Sequence, residues 1–330
     1  MAETVQITGT YHTTRYGFLV IPEYSMMAFA AAIDQLRMAN RLTGKPLYEW
    51  VILGDEGGTV TASNHLAMET AAISDAGRLD AVFVCGGVHI EQKTNRNRNT
   101  WLREQAARKV AIGAICTGTY LVAHAGLLDG YRCTIHWENM AGLREEFPQL
   151  IISPDLFEVD NDRYTCAGGS AAMDMMVYLV AQKHGWDLAT QIAEEFLVER
   201  IRGQNDRQRL PLRLQLGASQ PKLADAVAFM EANLEELISL DEIAFHVGLS
   251  RRQLERLFQK YLHCVPTRYY MRLRLMHARQ LLLQTSMPIV DIAYASGFVS
   301  TPHFSKCYRE FFGIPPREER RAHKQMATAS

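Results

Sequence analysis

The sequence has no paired-cysteine spacing. Its six cysteines, at 85, 116, 133, 166, 264 and 307, are scattered through 330 residues without a CxxC pair. In a chain this long, scattered thiols argue against a disulfide framework or a structural zinc module and fit a reducing compartment, so a cytoplasmic location is the expectation. No uninterrupted apolar stretch approaches the ~20 residues of a membrane-spanning helix, so no membrane partner is expected. Residues 1–14 lack a basic segment followed by an apolar core, so no secretory leader is read there. An excess of charge of one sign is missing too, since 35 Lys and Arg meet 36 Asp and Glu. At 48% hydrophobic and 22% charged residues the composition is globular, which excludes a disordered chain, a collagen and a coiled-coil rod.

The overall balance conceals an asymmetry. Residues 219–330 carry 15 Lys and Arg against 11 Asp and Glu, whereas residues 1–218 carry 20 against 25. A basic C-terminal part behind an acidic N-terminal part points toward nucleic acid, because phosphate binding needs local rather than total positive charge. Length alone favours two domains over one.

From Tyr16 to about Leu197, short apolar runs alternate with helical segments. Tyr16–Ile21, Trp50–Leu53, Ala81–Cys85 and Val110–Ile115 are too short for helices and lack polar alternation, so they read as strands covered on both faces. Ser25–Asn40, with Ser25 as N-cap, and Thr100–Lys109 read as helices. Strands alternating with helices imply a mostly parallel sheet between helical layers, an α/β domain of flavodoxin-like type. Leu156–Val159 and Tyr164–Cys166 read as a hairpin, and Gly168-Gly169-Ser170 opens a helix toward His184. The basic run Lys93–Arg103 reads as a solvated loop without function. Residues 200–220, with clustered charge, two glycines and a proline, read as a linker. Beyond Pro221 the chain reads as all helix.

That helical tail contains a repeat. Glu242–Leu249 (EIAFHVGL) matches Asp291–Phe298 (DIAYASGF) at an offset of 49. At an offset of 50, Leu254, Phe258, Tyr261, Val265 and Pro266 then fall on Phe304, Tyr308, Phe311, Pro315 and Pro316. Each copy is a short apolar helix, a glycine and a second amphipathic helix, which is the pattern of a helix-turn-helix. Gly248 and Gly297 supply the positive φ that ends the first helix. Ser250 is placed to cap the second helix of the first copy, and Ser300 or Thr301 that of the second, with Pro302 tolerated in its first turn. Between the copies, Thr267–Thr285 carries an apolar stripe of Met271, Leu275, Ala278, Leu281 and Leu282. At 1.5 Å per residue it is roughly 28 Å long, near the ~34 Å between major-groove faces one turn apart. Arg251, Arg252, Glu255 and Arg256 lie on the outer face of the first candidate recognition helix, where arginine can read guanine edges. The second copy offers Thr301, His303, Ser305, Lys306 and Arg309.

Residues 221–321 resemble the DNA-binding domain of the AraC/XylS family of transcription regulators, and DIAYASGFVSTPHFSKCYREFFGIPP (291–316) is close to that family's signature. The resemblance implies two helix-turn-helix units on a long helix, and base contacts from Arg252, Glu255 and Arg256 and from Thr301, Ser305 and Lys306. Pro302 stands where many relatives have a polar base-reader, which leaves it apolar contact with a thymine methyl.

In the N-terminal part the strand Val110–Ile115 runs straight into Cys116-Thr117-Gly118-Thr119 and an apolar helix. A cysteine at such an elbow meets the free N–H groups and positive pole of a helix N-terminus, an arrangement that also serves as a nucleophile elbow. His136, in Cys133–Trp137 (CTIHW), is the candidate partner for that cysteine. Residues 16–200 resemble the PfpI branch of the class I glutamine amidotransferase-like superfamily, through VCGG (84–87), AICTGT (114–119), LLDGYRCTIHW (127–137) and TCAGGSAAMD (165–174). The enzymes of that superfamily usually follow the elbow cysteine with histidine; this chain has Thr117. They often hold an acid beneath the cysteine from the first helix; here Ser25, Met26, Met27 and Ala28 occupy that place and Glu23 lies outside it. The resemblance therefore implies a pocket without the enzymes' chemistry, needing no metal or cofactor.

The two-part combination resembles GlxA-type regulators, in which the former enzyme pocket serves as a sensor. It implies residues 1–15 as an extension, 16–200 as the sensor, 201–220 as the linker, 221–321 as the DNA-binding domain and 322–330 as a tail. Expected partners are promoter DNA, a small-molecule effector, RNA polymerase and a second copy of the chain, with activation as the expected output. PEYSMMAFAAAIDQLRMAN (22–40) and GKPLYEWVIL (44–53) resemble regulators of amine and amino-acid catabolism, including those answering to glycine betaine, dimethylglycine, carnitine, sarcosine or arginine. The expected effector site comprises Glu23, Tyr24, Ser25, Gly86, Gly87, Cys116, Thr117, His136 and Trp137, with Tyr24 and Trp137 offering faces to an ammonium group. Two alternatives stay open: a hydrolase or glyoxalase-like enzyme using Cys116 with His136, and a non-specific DNA binder.

Overall fold

The computed structural model describes residues 12–208 and 220–329. Most of the expected 1–15 extension and most of the expected 201–220 linker lie outside these residues. The chain divides into two compact units, one of residues 1–137 and 149–206 and one of residues 138–148 and 207–330. Both outlines differ from the expected boundaries. Residues 200–206 belong to the first unit because their charges are committed there. Arg202 donates from its backbone N (3.2 Å) and its Nε (3.0 Å) to the buried Asp174 carboxylate, and Leu156 N–H donates to Asp206 C=O at 2.7 Å.

The elements run in chain order as β1 (Thr14–Val20), α1 (Met26–Thr43), β2 (Tyr48–Gly54), β3 (Glu56–Thr61), β4 (Ala67–Ala72), β5 (Ala81–Cys85), α2 (Arg96–Ala107), β6 (Ala111–Ile115), α3 (Gly118–His124) and β7 (Arg132–Cys133). After α4 (Met140–Glu146), which counts with the second unit, come β8 (Ile151–Ile152), β9 (Phe157–Asp160), β10 (Arg163–Cys166), α5 (Ala171–His184) and α6 (Trp186–Glu195). Eight of these strands form one sheet in the order β3-β4-β2-β1-β5-β6-β10-β9. The pairings from β4 through β2, β1, β5 and β6 to β10 are parallel, and only the outermost strands β3 and β9 run antiparallel to their neighbours. Strands β5 and β6 are buried at every residue, as their unbroken apolar runs require. The sheet is therefore the mostly parallel, helix-covered one that the sequence indicates.

Local chemistry sets the ends. Ser25 Oγ accepts from Ala28 N–H at the start of α1, and Gly44, at φ 64°, ends it. The hairpin β9–β10 forms with Asn161 at φ 53° in its turn. The Lys93–Arg103 run is not a solvated loop. Asn95 caps α2 through Asn97 and Arg98 N–H, so the helix starts at Arg96 rather than at Thr100. Arg98 is buried, with its Nε donating to Asp55 at 2.8 Å. The Asn95 cap and the Arg98–Asp55 pair thus place this basic segment in regular structure rather than in solvent. The hairpin β3–β4 carries no apolar alternation and has no counterpart in the sequence reading.

The second unit, beyond α4, holds α7 (Pro221–Ala232), α8 (Leu240–His246), α9 (Arg251–Leu262), α10 (Pro266–Gln284), α11 (Ile289–Ala295), α12 (Thr301–Phe312) and α13 (Pro316–Ala329). It contains two apolar cores. One gathers Leu223, Val227, Met230, Ile243, Leu254, Phe258 and Tyr269; the other gathers Leu275, Leu281, Ile292, Phe298, Phe304 and Tyr308. The repeat thus builds two small bundles, α8–α9 and α11–α12, with the 19-residue α10 contributing to both.

Candidate functional site

Each repeat copy closes as a helix-turn-helix. Gly248 and Gly297 sit at φ 62° and 73°, and Leu249 and Phe298 N–H return to the carbonyls of Ala244 and Ala293. On α9, Leu254 and Phe258 are buried while Arg251, Arg252 and Arg256 are exposed and Glu255 is half-buried. Ser250 caps α9 in a reciprocal box with Gln253, as its position predicts. Arg251 is shared between Asp241 (3.5 Å) and Glu255 (3.1 Å), whereas the exposed Arg252 and Arg256 form no ion pair among the described residues. On α12, Phe304 and Tyr308 face the core, Pro302 and Lys306 are exposed, and Thr301 and Ser305 are half-buried. Ser300 occupies the N-cap position of α12 without a side-chain hydrogen bond, so neither expected cap is made in this copy.

In the first unit, Cys116 terminates β6 at φ 60°, the strained turn of an elbow, and its N–H donates to Cys166 C=O at 3.0 Å. A Cβ on Gly168 would stand 2.9 Å from the Cys116 Sγ, so the thiol is pressed against that glycine. Thr117 Oγ1 donates to Gly87 C=O at 2.6 Å, Ser25 N–H to Gly86 C=O at 3.0 Å, and Val88 N–H to Glu23 C=O at 3.3 Å. These bonds draw Glu23–Ser25, Gly86–Gly87 and Cys116–Thr117 into one locus. Thr134 is pinned by Thr165 Oγ1 and Thr119 Oγ1, which sets the half-buried His136 and Trp137 two and three residues on. Their rings lie 5.7 Å apart.

Tyr24 does not serve as an aromatic wall. It is fully buried, its ring meets Phe29 edge-on at 5.6 Å, and its backbone bridges to Gly87. Burial and the neighbouring thiols push Cys85 above the ordinary thiol range, and burial raises Cys133 and Cys166 each to about 12. These three thiols are therefore inert packing.

Two residues at this locus escaped the sequence reading. Lys93 Nζ lies 2.9 Å and His89 Nδ1 3.4 Å from Glu23 Oε2. Burial works to raise the Glu23 carboxyl, yet the hydrogen bonds and charges of Lys93 and His89 outweigh it and hold the group below the usual carboxylate range. Glu23 and His89 both stand at positive φ, 63° and 54°. No group of His, Cys, Asp and Glu among the described residues is arranged to hold a metal ion, and no helix among them is long and apolar enough to cross a membrane.

Comparison with known proteins agrees with this division. Residues 18–182 match the DJ-1/PfpI family and residues 243–322 a helix-turn-helix domain. The HTH-type transcriptional regulator GbdR of Pseudomonas aeruginosa is 53% identical over 92% of this chain and 83% of its own length. The regulators ArgR of the same species and GlxA of Rhizobium meliloti are 43% and 36% identical, each aligned over more than nine tenths of both chains. A crystal structure of an AraC family transcriptional regulator from Pseudomonas putida covers 56% of this chain and 99% of its own, at 31% identity and TM-score 0.51. A fold on this scale, two helix-turn-helix copies and relatives along nearly the whole sequence place the chain among the GlxA-type transcription regulators, a DJ-1/PfpI-family domain followed by an AraC-type DNA-binding domain.

Proposed function

We propose that this regulator activates genes of amine or amino-acid catabolism when a small zwitterionic effector binds at the Cys116 elbow. The observation that carries the reading is the Glu23–Lys93–His89 group beside the elbow. An ionised carboxylate next to an ammonium complements a ligand bearing both a cationic and an anionic end, as amino acids and betaine-type amines do. Trp137 adds an aromatic face for a methylated ammonium. Glu23, Ser25, Gly86, Gly87, Cys116, Thr117, His136 and Trp137 form the effector site in this reading. The enzyme alternative is disfavoured because Thr117 stands where the enzymes have their histidine, and because the relatives are named as regulators. Homodimerisation, contact with RNA polymerase and a cytoplasmic location belong to the same proposal.

On the DNA side, Arg252, Glu255 and Arg256 read one major groove and Thr301, Pro302, Ser305 and Lys306 the next, while Arg251 supports Glu255. Ligand can alter output only by binding one arrangement of the protein better than another. Isothermal calorimetry of the full chain against a panel of amino acids, betaines and methylated amines tests the effector. Heat from a zwitterion that is lost in Glu23→Gln supports the site, and silence across the panel rejects it. Turnover abolished in Cys116→Ala would instead support the enzyme.

A further inference from the structure

The turn of the second helix-turn-helix is packed against the segment that leads into the first. Gly297 is buried, and a Cβ built on it would stand 2.6 Å from Leu234 O and 3.0 Å from Glu235 O, in the segment that joins α7 to α8. No side chain fits between these two stretches of backbone. Both are tied to one face of α10. The Tyr270 hydroxyl donates to Asn233 C=O. One turn along, Arg274 Nε donates to Ser296 C=O at 2.8 Å and Nη2 to Gly297 C=O at 2.5 Å, while its guanidinium lies 4.2 Å from the Phe298 ring centroid. Arg274 is buried, and no carboxylate among the described residues forms an ion pair with it. Such a charge needs compensation from carbonyl dipoles and a ring face, so the geometry around it is sharply defined. The planar fork of arginine offers two separate nitrogens, Nε and Nη2, to the two successive carbonyls, whereas a lysine has a single nitrogen to share between them.

We infer that Tyr270, Arg274 and Gly297 form a clamp fixing the angle and spacing of α9 and α12, and so set which half-site spacing the protein accepts. The second turn cannot swing about α10 without breaking the Arg274 bonds and opening the Gly297–Leu234 contact. The three are positioning residues that touch no base. Inserting one base pair between half-sites moves the second by ~3.4 Å and turns it by roughly 35°. A rigid pair of readers cannot follow that displacement, whereas a hinged pair can.

This inference rests on the DNA-reading assignment of α9 and α12. The test uses full-length protein and a duplex selected from a random pool, together with versions carrying one inserted or one deleted base pair between the two protected segments. Wild type should lose ~10-fold or more in affinity on either altered duplex, the scale of losing one set of groove contacts. Tyr270→Phe and Arg274→Lys should keep binding the original duplex and lose less than ~3-fold on the altered ones. Tyr270→Phe removes one hydroxyl and keeps the packing, so it guards against a folding defect in the arginine variant. A spacing penalty in both variants equal to that of wild type would overturn the clamp. So would loss of the second protected segment at every spacing, which would mark a role in folding alone. Wild type that tolerates all three spacings also overturns it, whereas failure to select any sequence from the pool would instead sink the DNA-reading assignment.

Discussion

In the first helix-turn-helix the turn glycine, Gly248, is exposed and its carbonyl takes a surface hydrogen bond from Lys222 Nζ at 2.8 Å. In the second, Gly297 is buried and its turn is held by the sequestered Arg274. The recognition helices differ in the opposite sense. Helix α9 has a complete capping box and three exposed arginines; α12 has no side-chain cap, a proline in its first turn and Lys306 as its cation near the start. The first copy exposes more cationic side chains and makes its own helix start, whereas the turn of the second is bonded to the long helix. Duplication preserved the apolar frame, because Leu254 and Phe304 or Phe258 and Tyr308 must fill equivalent cores, while surface and cap were left to diverge.

The largest effects should come from those cores. Phe304→Ala should cost about 3–5 kcal/mol and Leu254→Ala about 2–5 in chemical denaturation. Footprints should show the second protected segment lost first in Phe304→Ala and the first segment lost first in Leu254→Ala. The glycines should separate more sharply: a Cβ at Gly248 meets only the end of the Lys222 side chain, at 3.6 Å, so Gly248→Ala should cost ~1 kcal/mol of backbone strain, whereas Gly297→Ala meets carbonyl oxygens and should cost roughly 2–4. Equal losses would remove the contrast between the turns.

Groove chemistry comes next. Arg256→Ala should weaken binding to a selected site by ~1–3 kcal/mol and relax the preference at one base position. Ser305→Ala in the second copy should do less. An equal loss from Arg256→Ala on random DNA would favour a non-specific binder. Caps should follow the same asymmetry, with Ser250→Ala costing about 1 kcal/mol and Ser300→Ala a few tenths at most in thermal melts.

The smallest effect is one of pH. Burial lowers the proton affinity of His277 on α10. Below the ordinary imidazole range near pH 6.5 the unfolded chain takes up a proton that the folded one resists, so stability is full above that range and declines as pH falls through it. His277→Gln should flatten the decline between pH 7.5 and 5.5, and an unchanged slope would assign it elsewhere.

Much of the fold was legible because its signals are local. Unbroken apolar runs marked β5 and β6, Ser25 marked the start of α1, and two glycines followed by matched apolar residues marked the repeat. What was illegible depends on distant partners. Lys93 and His89 meet Glu23 only once β5 lies beside β1, and Arg98 reads as solvated until Asp55 arrives. Tyr24 looked like a ligand wall because nothing local declares that a bridge to Gly87 will bury it. Arg274 interrupts an apolar stripe with a charge, and only the returning turn at 296–297 explains why it is there.

Footprinting of the full-length protein on its selected duplex tests the central claim most directly. Two protected segments on one face of the duplex, with centres ~10–10.5 base pairs apart, are the predicted result. Protection confined to one groove, or spread without regard to sequence, would contradict the account of two readers held on one helix.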